Sequence, residues 1–174
     1  MTSLHKVWKD EHISKTTKVL VYQTLVQSII LYNAETWTLK EEEKQKLKVF
    51  KMSLWRKISG ISGIKRRDRR RNLDILKELS IKKDIVKVLQ IRRLKYFGHV
   101  KQIEKDRFPH ILLHGYTHGH RRKKWMDNVR EDCATKNMTL QEATQQAKNK
   151  TSWRNTVLKM GCWSVRTLSY SPEP

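Results

Sequence analysis

The residues of this chain best suited to chemistry are its clustered cations, and that chemistry is the neutralisation of phosphate. Lys65, Arg66, Arg67, Arg69, Arg70 and Arg71 form one cluster. Arg92, Arg93 and Lys95 form a second, and Arg121, Arg122, Lys123 and Lys124 a third. Guanidinium groups bind phosphate oxygens through a forked set of N–H donors, and ammonium groups bind them as point charges. The chain as a whole leans the same way: 38 Lys and Arg against 17 Asp and Glu leave a net charge of +21 over 174 residues. Such a surplus attracts polyanions and repels basic partners. Neutralising about six to ten phosphates would cost roughly a thousandfold or more in affinity between low and moderate salt. Each cluster also has a plainer reading as a solvated charged surface, and the net charge favours nucleic acid over it. Trp125, Tyr96 and Phe97 adjoin two of the clusters, where aromatic rings stack on unpaired bases. Each also fits an apolar helix stripe, and the core is the preferred place for all three.

Other chemistry is weakly represented. His110, His114, His118 and His120, with Cys133 as a fourth ligand, offer donors for a metal, but zinc sites are usually built from two closely spaced pairs. A loop that happens to be rich in histidine is the better account. Asp127 and Glu131, four residues apart, share a helix face; with Lys124 and Arg130 nearby, a salt-bridged surface is the commoner outcome. No adjacent Asp pair, phosphate-cradling glycine loop or nucleophile elbow is present, so neither a catalytic residue nor a metal or other cofactor is expected. Cys133 and Cys162 do not make a disulfide framework. The segment from Met1 to Glu11 has no apolar signal region, and the most apolar run, Val19 to Tyr32, is too short and too polar to cross a bilayer. The expectation is an intracellular protein, in the nucleus or the cytoplasm, with no membrane partner.

The elements that must position these cations read as helices. A first helix follows Ser14 and runs to about Tyr32, with Val19, Tyr22, Val26 and Ile29 on one face and Leu25 and Ile30 widening it. Asn33, tolerant of the left-handed conformation, ends it. Thr38 and Glu41 form a capping box that opens a second helix, striped by Leu47, Phe50, Leu54 and Ile58 and stopped by Gly60. A loop from Gly60 to Arg71 precedes a short helix after Asn72 carrying Ile75, Leu76 and Leu79. A longer helix spans Lys82 to Ile103, with Ile85, Val88, Leu89, Leu94 and Phe97 inward. Glu104 to His120, with Pro109, Gly115 and Gly119, reads as a linker or extended loop. A helix follows Lys124 with Trp125, Val129 and Cys133 on one side. A second capping box, Thr139 with Glu142, opens a helix that carries Ala143 and Ala147 towards Trp153 and Val157. No strand alternation survives inspection, so the fold class is all-α. The divisions are an N-terminal segment over 1–12, a helical region over 13–103 containing the basic loop 64–71, a linker over 104–120, a basic helical extension over 121–160, and a disordered tail over 161–174.

Several stretches resemble the region downstream of the polymerase core in non-LTR (LINE-type) retrotransposon reverse transcriptases. Leu31-Tyr32-Asn33-Ala34-Glu35-Thr36-Trp37-Thr38-Leu39 is similar to the family's leucine-tyrosine-glycine-x-glutamate-x-tryptophan signature, with Asn33 in place of the usual glycine. Arg92-Arg93-Leu94-Lys95-Tyr96-Phe97-Gly98-His99-Val100 is similar to its Arg-Arg-Leu-x-aromatic-Phe/Trp-Gly-His-Val motif. Arg56 to Ile61, Asp68 to Asn72, Lys124 to Asp132 and Ala147 to Arg154 fit the pattern as well. The matches cover about residues 13 to 158. One departure is Gly119-His120-Arg121-Arg122-Lys123, where the family has a proline in its basic segment.

The resemblance implies a multi-helix, thumb-like bundle followed by a smaller helical C-terminal extension that grips template RNA or target DNA. It further implies a parent RNA-directed DNA polymerase whose catalytic palm lies outside this sequence and is a partner of it. The alternative is a non-functional or protein-interaction remnant whose charge is inherited rather than used.

Overall fold

The computed structural model describes residues 4–60, 70–81, 84–114 and 123–160, and among them every regular element is a helix. In order these are α1 (His5–Lys9), α2 (Lys15–Val21), a π-helical turn (Tyr22–Val26), α3 (Gln27–Ile30), a 3₁₀ turn (Ala34–Thr36), α4 (Glu41–Ile58), α5 (Asn72–Glu78), α6 (Ile85–Gln102), α7 (Phe108–His114), α8 (Trp125–Ala134), α9 (Leu140–Ala147) and α10 (Lys150–Met160). The all-α expectation holds for the described residues. Lys65, Arg66, Arg67, Arg69, Arg121 and Arg122, the first two residues expected of the long helix, and the tail all lie outside them.

α2, the π turn and α3 make one continuous rod. Ser14 caps it as expected, its Oγ accepting from the Thr17 amide at 3.1 Å. The π turn takes in an extra residue, and hydroxyls occupy the carbonyls around it: Thr24 Oγ1 donates to Leu20 O at 2.9 Å and Ser28 Oγ to Thr24 O at 2.6 Å. The wider turn rotates everything beyond it. Tyr22 and Val26 are buried as the 3.6-residue period requires, but Ile29 is 76% exposed and Leu25 is exposed as well. Ile30 and Leu31 face inward instead. Asn33 adopts φ 52°, the left-handed conformation expected of it, and the chain turns into the 3₁₀ segment.

α4 begins at Glu41 and not at Thr38. Lys40 is the extended N-cap residue (φ −81°, ψ 165°), and its amide donates to Glu43 Oε2 at 2.6 Å. The reason is tertiary. Asn128 of α8 grips both backbone groups of Leu39: Leu39 N donates to its Oδ1 and its Nδ2 donates to Leu39 O, both at 2.9 Å. A residue so held cannot enter the first helical turn. Replacing Asn128 with alanine would orphan a buried amide and a buried carbonyl, with an expected loss of about 2 kcal/mol in urea unfolding. A loss near zero would mean that water replaces the amide.

α4 ends at Ile58, and Gly60 just beyond it has a φ of 82°, which suits a residue without a Cβ. The segment expected to be a linker contains α7; Pro109 lies in its first turn, where a missing amide hydrogen is tolerated. Phe108, Ile111 and Leu112 of α7 are exposed, so no buried stripe marks it. The last predicted helix is two helices. Asn149 interrupts it, with Oδ1 accepting from the amides of Thr151 and Ser152 at 3.1 Å and thereby capping α10.

Three apolar clusters form the core. Trp8, Tyr22, Val26, Leu54, Trp55 and Ile75 are among the residues of the first, where the Tyr22 and Trp55 rings lie 4.3 Å apart. Burial there pushes the Tyr22 hydroxyl up to about 12. Leu31, Ala34 and Leu39 meet Ile85 and Leu89 of α6 in the second. In the third, Ile91, Leu94 and Phe97 of α6 meet Val129, Cys133, Ala143, Ala147, Trp153 and Val157. α6 is thus the shared beam between the N-terminal helices and α8–α10.

Candidate nucleic-acid interface

α6 presents its second basic cluster on one outward face and withdraws one member of it. Arg92, Lys95, Tyr96 and His99 follow helical spacing, and Arg92, Lys95 and His99 are exposed. Arg93, expected in the same surface cluster, is a correction: it is 1% exposed and pairs through Nη1 with Asp132 Oδ2 at 2.9 Å. One residue is a rotation of about 100° on a helix, which carries Arg93 from the outward side of Arg92 and Lys95 into the joint with α8. Arg92 stays outside and donates from Nη1 to Leu31 O at 2.7 Å, placing a cation on the carboxyl end of the first rod.

Lys123 and Lys124, the described part of the third cluster, are tied to the same stretch of α6. Trp125 Nε1 donates to Glu35 O at 2.8 Å, and the Trp125 ring meets Tyr96 edge-on with centroids 5.9 Å apart. These contacts bring the start of α8, with exposed Lys124 and half-buried Lys123, to the outer face of α6. Lys123 reaches Glu131 at 2.6 Å, and Lys44 reaches the same carboxylate at 3.2 Å. Burial raises the Glu131 carboxyl, but hydrogen bonds and charge from Lys123 and Lys44 outweigh it and hold the group below its ordinary value.

The remaining candidates fall elsewhere. Arg70 pairs with Glu78, which also holds Lys15 at 2.5 Å, and these partners lower the Glu78 carboxyl. Arg71 is exposed and extended ahead of α5. Phe97 is fully buried in the core, as expected, Trp125 is half-buried against it, and Tyr96 is half-buried outside the three clusters. Asp127 is occupied by the Lys124 amide at 2.8 Å and by Arg130 at 3.0 Å. The described residues hold no group of three metal-ligating side chains, and burial pushes the Cys133 thiol up to about 11, away from the thiolate a metal requires.

Between the 3₁₀ turn and α6 lies a shallow hollow of about 340 Å3, lined by Glu35, Arg92, Lys95, Tyr96 and His99. Sequence reasoning passes over Glu35 and His99 as site residues, although both stand inside quoted motifs. Their common location depends on the Arg92–Leu31 and Trp125–Glu35 hydrogen bonds, which join residues 61 and 90 apart in sequence.

No protein-family model matches the chain, and no solved structure matches it. It is similar to an uncharacterized transposon-derived protein of Caenorhabditis elegans, 21% identical over 133 residues. The match covers 73% of this chain and 48% of that relative, so the chain spans about half the length of the protein it matches.

Proposed function

We propose that the chain is a nucleic-acid-binding part of a non-LTR retrotransposon reverse transcriptase, gripping template RNA or target DNA while the catalytic palm of the parent protein does the polymerisation. The carrying observation is that Trp125, which directly follows Lys124, packs on Tyr96 beside the exposed Arg92 and Lys95 of α6, in a chain of net charge +21. The similarity to a transposon-derived protein supports the same origin. So does the packing of the three stretches that resemble the family: Arg92 binds Leu31, Trp125 binds Glu35 and Asn128 binds Leu39. In this reading the thumb-like part is residues 13–103, the gripping extension is residues 121–160, and the place of action is the nucleus or the cytoplasm. The exposed Leu25 and Ile29 of the first rod belong to the face that meets the palm. That same apolar face favours the second reading, a protein-interaction remnant whose charge is no longer used.

Fluorescence anisotropy against single-stranded RNA, duplex DNA and heparin, each across a salt titration, separates the two. The expected result is nucleic acid preferred over heparin, with affinity falling about a thousandfold or more between low and moderate salt. Substituting Lys95 and Lys124 by glutamine should weaken binding and shallow the salt slope by about one for each phosphate left without its cation. The same should follow from neutralising Arg66, Arg67, Arg69, Arg70 and Arg71. Equal, shallow binding to all three polyanions would reject the proposal.

A further inference from the structure

The hollow between the 3₁₀ turn and α6 contains a group that phosphate binding does not need. Glu35 is half-buried among Arg92, Lys95 and His99. Its backbone oxygen is taken by Trp125, yet its carboxylate has neither a hydrogen bond nor an ion pair among the described residues. A carboxylate facing a polyanion weakens the grip, so a purely electrostatic surface gains nothing from it. A carboxylate beside cations and an aromatic wall suits a nucleobase instead. The cations hold the flanking phosphates, the Tyr96 ring contributes an apolar side, and the two oxygens accept hydrogen bonds from the base edge.

The bases differ in what they offer such an acceptor. Guanine presents two adjacent donors, N1–H and the N2 amino group, on its Watson–Crick edge. Adenine and cytosine each present one amino donor beside a ring-nitrogen acceptor, and uracil presents one N–H between two carbonyls. Only guanine satisfies both carboxylate oxygens with no acceptor set against them. That edge is available only when the base is unpaired. We infer that the hollow at Glu35 takes an unpaired guanine of a single strand, with the Glu35 carboxylate accepting from N1–H and N2–H while Arg92 and Lys95 hold the phosphates on either side.

This rests on the nucleic-acid reading above, and the test separates the two. The full chain is titrated at one moderate salt concentration with a labelled oligouridine of about twelve nucleotides, a length within the usual single-strand site range. The same strand is then used with a single central guanine, adenine or cytosine. The guanine strand should bind about tenfold more tightly than the other three, the scale of one well-made pair of hydrogen bonds to a base edge. Glu35→Gln, which presents one acceptor and one donor, should bring the guanine strand down to the level of the adenine strand; circular dichroism reports that the variant is folded. Equal affinity for all four strands would overturn the guanine site and leave the nucleic-acid reading standing, as would a guanine preference that survives in Glu35→Gln. Free guanosine monophosphate competing as well as the guanine strand would overturn a strand ligand in favour of a nucleotide. Failure to bind any strand at low salt would overturn both.

Discussion

Replacing Gly98 with alanine is expected to destabilise the chain by about 3 kcal/mol, the upper range for overpacking a rigid site, and to loosen α10 from α6. In an exposed helix the same change would gain roughly 1 kcal/mol, because glycine is the poorer helix former. Here the sign reverses. A Cβ at position 98 would fall inside the indole of Trp153, on Cδ1 and Nε1. That ring cannot step aside. It is buried, its Nε1 donates to Leu94 O at 2.9 Å, and it meets the Phe97 ring at a steep angle with centroids 5.9 Å apart. Gln102 adds a second tie between α6 and this end of the chain, donating to Ala147 O at 2.8 Å. Urea unfolding of Gly98→Ala should therefore show a lower midpoint, and tryptophan fluorescence should report a more exposed indole. A more stable Gly98→Ala would mean that Trp153 has another place to lie.

Asp132→Ala should cost about 3–5 kcal/mol, because it strands a charge that has no route to water. Arg93 is fully buried and its Nη1 donates to Asp132, while among the described residues its Nε and Nη2 have no partner. Burial holds the Asp132 carboxyl above its ordinary value, although Arg93 and the Gln90 side chain both pull it down. Desolvation therefore outweighs the attraction that the pair returns. The double replacement Arg93→Met with Asp132→Leu should recover most or all of what the single change loses, since both charges leave together. Chemical denaturation of the single and double variants checks this. A double variant as unstable as Asp132→Ala would show that the pair contributes more than a matched cost.

The surface role expected of Arg93 fails for the same reason that makes these effects large. In the sequence, Arg92, Arg93 and Lys95 are three cations in one run, and the apolar residues around them define a buried stripe without saying how wide it is. α6 is buried against the N-terminal helices along one part and against α8–α10 along another, so its buried surface reaches Arg93 and needs Asp132 to meet it. Ile29 fails differently. Its period is right for an α-helix, and the π turn at Tyr22–Val26 changes the count. Thr38 fails because Asn128, 89 residues from Leu39, holds the chain extended where a local capping box would have started α4.

Whatever depends on neighbours within a turn or two, and on total charge, is legible in the sequence. The helical class, the Ser14 and Thr139 caps, the left-handed Asn33 and the +21 surplus all follow from local hydrogen bonding, steric preference or composition. Packing alone settles which cations face water, why position 98 must lack a side chain, and that Glu35 shares a hollow with Arg92, Lys95 and His99. Those outcomes depend on contacts between residues tens of positions apart. No local pattern encodes them, because each is set by the rotation of one packed helix against another.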